Sequence, residues 1–176
     1  MTVSFRPLAL GEVLGLGRSI VRDFHPYELR GYRYARRDIL RGRAVALAVT
    51  VGGAYAGYLI HEKPDRQGLL RIAYLATEPR FRGQHIGEQA LALLQRRYPR
   101  STIYFEVEDP AFAENEEERQ LMERRIGFYR RCGFSLLRFR LEAGPWHLGC
   151  MASDPAREEW LRRLYRERWS PTAVRA

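Results

Sequence analysis

The stretch Leu69-Leu70-Arg71-Ile72-Ala73-Tyr74-Leu75-Ala76-Thr77-Glu78-Pro79-Arg80-Phe81-Arg82-Gly83-Gln84-His85-Ile86-Gly87 decides how this chain is read. Its opening run, Leu69–Ala76, is almost continuously apolar, the pattern of a strand buried on both faces. Ile86, Ala90, Leu93, Leu94 and Tyr98 then recur at helical spacing, and Pro99 closes the run. The loop between strand and helix carries Arg80, Arg82, Gly83 and Gly87. A loop of this kind feeding a helix N-terminus suits a phosphate. First-turn N–H groups lack partners, the dipole is positive there, and glycine lets the backbone approach an anion closely. The plain alternative is a strand-to-helix connection whose glycines serve tight packing.

Outward from this stretch, the element pattern is regular. Val3–Arg6 reads as a strand stopped by Pro7. Gly11–Asp23 carries Val13, Leu14, Leu16, Ile20 and Val21 near helical spacing, and a more polar helix follows from about Tyr27 to Arg41. Val45–Val51 and Tyr55–Ile60 read as two strands, with Gly52-Gly53 supplying the positive φ of a two-residue hairpin turn. Glu62–Gly68 is a polar loop. Thr102–Glu108 alternates, with Ile103, Phe105 and Val107 on one face and Tyr104, Glu106 and Glu108 on the other. After the connector Ala111–Asn115, Glu116-Glu117-Glu118 opens a long helix, where acidic residues oppose the dipole's positive end. That helix carries Met122, Ile126 and Tyr129 on one stripe and stops at Gly133. Ser135–Leu141 and Trp146–Ala152 are two more strands around Ala143-Gly144-Pro145. A final helix is capped by Asp154, has Pro155 at its first position, and carries Trp160, Leu161, Leu164, Tyr165 and Arg168 on one face, with Trp169 near its end.

Two segments carry a family resemblance. Arg82-Gly83-Gln84-His85-Ile86-Gly87 resembles the acetyl-CoA loop of the GNAT superfamily of N-acetyltransferases, written Q/R-x-x-G-x-G/A. Arg82 and Gly87 fall on its first and last positions, and His85 stands where the first motif glycine is expected. Arg125-Ile126-Gly127-Phe128-Tyr129-Arg130-Arg131-Cys132-Gly133-Phe134 resembles the GNAT segment in which an aromatic-Tyr pair precedes a charged turn and Gly-Phe. The resemblance covers the chain from Val45 to Phe139, and the N-terminal helices fit by order and type. The interval from Glu106 to Tyr129 is longer than in compact members, which puts an insertion at Asp109–Glu118. The family's asparagine early in this helix is not at its usual place. The fold implied is α/β (α+β): a mixed, mostly antiparallel central sheet of about seven strands flanked by helices, with an extra C-terminal helix. The expected division is a GNAT-like domain over 1–152 and a helical extension over 153–176, packed on or beside it.

Composition narrows the partners. The chain has 176 residues, 45% of them hydrophobic and 29% charged, as in an ordinary folded domain. The net charge of +9 is unusual, and the basic residues are arginines except for Lys63. A basic surface attracts nucleic acid, membrane surface or a polyanionic small molecule such as CoA, or is simply a solvated face. Cys132 and Cys150 show no metal or disulfide spacing, which suits a reducing compartment. Thr2–Pro7 lacks the apolar core of a secretory leader, and Val45–Ile60 is broken by Gly52-Gly53 before it could span a membrane. A cytoplasmic protein is expected, with no metal and no membrane partner.

The resemblance implies acetyl transfer from acetyl-CoA to a primary amine of a small molecule, peptide or protein. A lysine-like amine, with a reference pKa of about 10.4, must lose a proton before it attacks. Glu106 is the first candidate base, because a glutamate at this point of the strand serves so in the enzymes it resembles. Glu108 shares its face and is second, and His61 is third. Each carboxylate is otherwise a solvated or ion-paired strand residue. The resemblance assigns oxyanion stabilisation to backbone N–H groups at Leu75, Ala76 and Thr77. Tyr129 is placed by the motif to protonate the CoA thiolate, unless it is only an aromatic core residue. Donor contacts fall on Leu75, Ala76, Thr77, Arg82, Gly83, Gln84, His85, Ile86, Gly87 and Tyr129. Two other classes stay open: a non-catalytic acyl-CoA-binding sensor, and a basic RNA- or ribosome-associated protein. No nucleic-acid motif supports the latter, and the C-terminal helix leaves a homodimer contact open.

Overall fold

The computed structural model describes residues 2–24, 28–143, 145–168 and 174–175. Among them are eight strands and six α-helices in a mixed α/β order. The chain forms two compact units, one ending at Ser101 and one beginning at Thr102. Every strand pairing within each unit is antiparallel.

The first unit is a four-stranded meander of β1 (Val3–Pro7), β2 (Ala44–Val51), β3 (Ala54–Glu62) and β4 (Leu69–Thr77). The β2–β3 turn is the one expected: Gly52 and Gly53 have φ of 56° and 83°. Alternation sends Ala46, Tyr58, Ile60 and Tyr74 to one face, where they pack with Val13, Leu16, Ile20 and Tyr32. Those last four come from α1 (Leu10–Gly15), α2 (Gly17–Asp23) and α3 (Glu28–Leu40), with Leu16 at the junction of the first two. The single helix expected over Gly11–Asp23 is therefore two short ones meeting at Leu16. The break lies between Gly15 and Gly17, poor helix formers on either side of a buried leucine. Val13 and Ile20 face the core as expected, whereas Leu14 and Val21 are exposed. Tyr32 locks α3 to α1 by donating its hydroxyl to the carbonyl of Val13. Tyr27, the expected start of α3, lies outside the described residues.

After β4 the chain enters α4 (Ile86–Arg97), which buries Ile86, Ala90, Leu91 and Leu94. Leu91, not Leu93, completes the buried stripe. β4 is buried on both faces only at Leu69 and Leu70; beyond them burial alternates and fades toward Thr77.

The second unit contains β5 (Thr102–Glu108), α5 (Glu116–Arg131), β6 (Ser135–Ala143), β7 (Trp146–Ala152), α6 (Glu158–Arg168) and β8 (Val174–Arg175), with strand order β5-β7-β6-β8. Asn115 caps α5 by accepting from the Glu118 N–H at 2.9 Å. The three glutamates occupy the first turn as the dipole argument requires. Asp154 caps a short 3-10 turn at Pro155–Arg157, and α6 starts after it. The buried line on α6 is Leu161 and Tyr165, while Trp160 is exposed. Trp169 and Gly144 lie outside the described residues. β8 pairs with Arg140 and Leu141 of β6 and has no counterpart in the sequence pattern. The expected polar face of β5 is also revised: Tyr104 is buried, packed edge-on against Tyr165 of α6.

His61, next to last in β3, is fully buried beside Tyr98. Its Nδ1 bonds the carbonyl of Glu62 at 2.8 Å, and its Nε2 has no partner among the described residues. Burial holds the imidazole below the ordinary histidine value of 6.5, opposed by the Glu62 bond and aided by Arg97. On acidification through about pH 6.5 the unfolded chain takes up a proton that the folded chain refuses, so folding stability falls. Chemical denaturation at successive pH values is expected to show this loss, and His61→Phe is expected to flatten it.

Candidate active site

In the first unit, the end of β4, the loop after it and the start of α4 follow one another directly. Leu75, Ala76 and Thr77 lie opposite Leu59, Tyr58 and Gly57. The approach at Gly57 is close: a Cβ there would collide with the carbonyl oxygen of Ala76. A short 3-10 turn at Pro79–Phe81 follows, with its backbone returning to Glu78 and Pro79. Gly83 then has φ 74° and His85 φ 57°. His85 therefore occupies the left-handed backbone region at the position where the resembling loop has glycine. Its side chain is 74% exposed and turned to Glu88, Nδ1 lying 2.9 Å from the carboxylate. The N-cap residue His85 makes no side-chain cap bond to α4, and helix geometry gives the first-turn N–H groups no carbonyl within the helix. Ile86 is buried and anchors this end of the helix.

Arg82 is held at two points. Its Nε donates to the carbonyl of Thr77 at 3.3 Å and its Nη2 to Asp23 at 3.1 Å. Asp23, the last residue of α2, has a side chain only 2% exposed and also binds Arg22 at 2.8 Å. Arg22 in turn bonds Glu78 at 2.9 Å, and the Tyr58 hydroxyl donates to Asp23 at 3.3 Å. Bonds to Asp23 and Glu78 push the Arg22 guanidinium further up. Burial raises Tyr55 to about 12, with Glu78, Asp23 and Glu12 adding to the effect. Sequence reasoning missed Asp23, Arg22 and Glu78. One signal was available: an acid at the C-terminal residue of a helix opposes the dipole and needs a compensating partner. Gln84 is exposed and donates to the carbonyl of Arg80.

In the second unit, Glu106 and Glu108 lie on β5 and Tyr129 lies on α5. The Tyr129 ring lies 4.4 Å from that of Phe105, which also meets Phe134. Glu106 points to the other face, where Tyr165 of α6 donates its hydroxyl to the carboxylate. Cys150, opposite Glu106 on β7, lies 4.0 Å from that hydroxyl. Glu106 and Tyr129 are thus on opposite faces of this sheet. Glu108 is joined to α5 instead, its carboxylate paired with Arg125, one turn before Tyr129. Burial raises the Tyr129 phenol, with Cys132 and Glu108 adding and Arg125 opposing, so it keeps its proton across the neutral range. Tyr165 is a further member of this cluster that sequence alone did not single out.

Comparison with known proteins places the chain. Residues 16–134 match the family model described as the acetyltransferase (GNAT) family. No curated protein matches the chain. A GNAT-family acetyltransferase structure from Bacteroides thetaiotaomicron is 22% identical, with 93% of this chain and 96% of that one covered and a TM-score of 0.71. A spermidine N-acetyltransferase variant from Vibrio cholerae is 11% identical over 89% and 96% of the chains, with a TM-score of 0.62. The ribosomal-protein-S18-alanine N-acetyltransferase of Escherichia coli is 17% identical over 86% and 92%, with a TM-score of 0.58. At these identities the structures establish the fold. The chain belongs to the GNAT acetyltransferase family, and it is an acyltransferase of the type that takes its acetyl group from acetyl-CoA.

The donor set suits that co-substrate. First-turn amides, a left-handed turn at Gly83 and His85, and the Arg82 guanidinium offer hydrogen bonds and positive charge to phosphate oxygens. Among the described residues no group of three or more His, Cys, Asp or Glu is placed to hold a metal. No described helix is long and apolar enough to cross a membrane.

Gly57→Ala is expected to displace Ala76 and loosen the end of β4. A loss of roughly 2 kcal/mol or more in urea denaturation is the expected size for a steric clash of this kind.

Proposed function

We propose that the protein is an N-acetyltransferase that moves the acetyl group of acetyl-CoA to a primary amine by direct attack. The observation that carries the reading is the loop Arg82–Gly87, an uncapped helix start with a fixed arginine, in a chain of the GNAT family. The Arg82 guanidinium and the amides from Gly83 through Gly87 grip the CoA pyrophosphate. Backbone N–H groups at Leu75–Thr77 bind the oxyanion of the tetrahedral intermediate. The attacking amine arrives protonated and loses its proton to a carboxylate, directly or through water.

Glu106 is the proposed base. Its carboxylate accepts from the Tyr165 hydroxyl, whereas the Glu108 carboxylate is engaged by Arg125 and must release it to meet an amine. Glu108 is therefore second. Tyr129 is the proposed acid toward the departing thiolate, since a phenol that holds its proton can supply it. The nitrogen and the sulfur are bonded to one tetrahedral carbon, so with Tyr129 and Glu106 on opposite faces of β5 the proton from nitrogen reaches Glu106 through water rather than directly. The named acceptors of two structural neighbours, spermidine and a ribosomal-protein alanine, are both primary amines, which supports the acceptor class.

Acetyl-CoA is expected to raise the melting temperature, and thiol release is expected with at least one member of a panel of polyamines, aminoglycosides and peptide N-termini. Binding without thiol release from any of them would favour the sensor reading. Tyr129→Phe is expected to lower kcat about a hundredfold while leaving CoA affinity nearly unchanged. Glu106→Gln is expected to abolish the acidic limb of the pH–rate profile. If Glu108→Gln does so instead, the base is Glu108.

A further inference from the structure

The proposed function accounts for Arg82 but not for the buried carboxylate behind it. Asp23 sits at the end of α2, a helix that precedes the donor loop by a long interval of sequence. A fully charged aspartate with a side chain only 2% exposed is costly unless it is paired, and here it is paired twice. Oδ2 takes Arg22, and Oδ1 takes Arg82 as well as the Nε of Arg22. Arg22 spends its other bonds on Glu78, the residue after β4. The ends of α2 and β4 are thus joined by two crossed links, Arg22 to Glu78 and Asp23 to Arg82.

The consequence for Arg82 is specific. Its Nε and Nη2 are occupied by Thr77 and Asp23, so one edge of the planar fork is pinned to the protein. Its remaining N–H groups have no partner among the described residues, and the side chain is 59% exposed. A guanidinium held along one edge and open along the other is already oriented before an anion arrives. An exposed arginine without such restraint would lose its rotamer freedom on binding.

We infer that Asp23 is a positioning residue for the donor site: through Arg82 it pre-orients the loop toward the phosphates of acetyl-CoA. The inference rests on the reading that Arg82 binds the donor. Asp23 touches no reacting atom, so its contribution falls on donor affinity rather than on the chemical step.

The test is a double-mutant cycle on CoA binding, measured by calorimetry with the full-length protein, using Asp23→Asn, Arg82→Gln and the double variant. Asp23→Asn is expected to weaken CoA binding about tenfold, and to add little once Arg82 is already glutamine. Kinetically, KM for acetyl-CoA is expected to rise while kcat and the KM of the amine stay close to wild type. Glu78→Gln breaks only the Arg22 link and is expected to leave CoA affinity within about twofold. Arg82→Lys keeps the charge at an exposed position, but one ammonium cannot hold both Thr77 and Asp23. It is expected to bind CoA more weakly, and it reports on the inference even if Asp23→Asn does not fold. Unchanged or tighter CoA binding in Asp23→Asn, or in Arg82→Lys where Asp23→Asn does not fold, overturns the inference. So does a loss in Asp23→Asn that simply adds to that of Arg82→Gln. If Arg82→Gln itself leaves CoA affinity unaltered, the donor reading of Arg82 fails instead.

Discussion

A backbone that turns left-handed at Gly83 and again at His85 sets where α4 begins, and much of the first unit is arranged around that start. The turn places the first amides of α4 beside the loop, and a helix cannot satisfy its own first N–H groups. The chain on its N-terminal side must therefore be firm. β4 is held at its end by the close approach of Gly57 to Ala76, and the 3-10 turn at Pro79–Phe81 carries the chain from there to Arg82. The helix on its C-terminal side must be firm as well, and Ile86 supplies this by burying at the first helical position. Histidine at a position of positive φ is tolerated because its ring is exposed and finds Glu88 within the helix it opens.

Most of the ion pairs in this arginine-rich chain do little for stability. Arg119 with Glu116 and Glu123, or Arg163 with Glu167, are exposed helix-surface pairs whose attraction is screened by solvent. Two aspartates are different. Asp23 is buried between Arg22 and Arg82 in the first unit, and Asp109 is buried against Arg140 at 2.6 Å in the second. Asp109 also caps the turn that ends β5, accepting from Ala111 at 3.1 Å. Removing the arginine partner strands a carboxylate away from water, so these aspartates fix geometry more firmly than their surface counterparts. The net charge of +9 reflects mainly surface arginine, while a small number of arginines carry structural roles.

The second unit divides its aromatic residues between two faces. Phe105, Phe134 and Tyr129 pack under α5, and Tyr104, Phe139 and Tyr165 pack under α6. β5 runs between these layers, which explains why both of its faces are buried and why its two carboxylates have such different partners. Glu106 meets a phenol on the α6 side, and Glu108, at the strand end, meets an arginine of α5. The C-terminal helix is therefore part of the surroundings of Glu106 rather than a remote appendage.

Elements whose signals are local were legible in the sequence. The Gly52-Gly53 hairpin, the strand–loop–α4 passage, the alternation of Thr102–Glu108 and the glutamate-led α5 each follow from residues within a few positions of one another, where backbone preference and periodicity act. So did the family and the class of chemistry, because the loop and the Tyr129 segment are contiguous. The division of Gly11–Asp23 into α1 and α2, the burial of Tyr104 beneath Tyr165, the pairing of β8 with β6 and the bond from Asp23 to Arg82 were not legible. Each depends on which distant residues meet, and a charged or aromatic side chain does not announce its partner. Sequence by itself determined which chemical groups stand along the chain: a guanidinium and glycines in the loop, carboxylates on β5, phenols on the helices. Tertiary structure decided which of them are restrained, because hydrogen bonds and burial exist only between surfaces that folding has brought together.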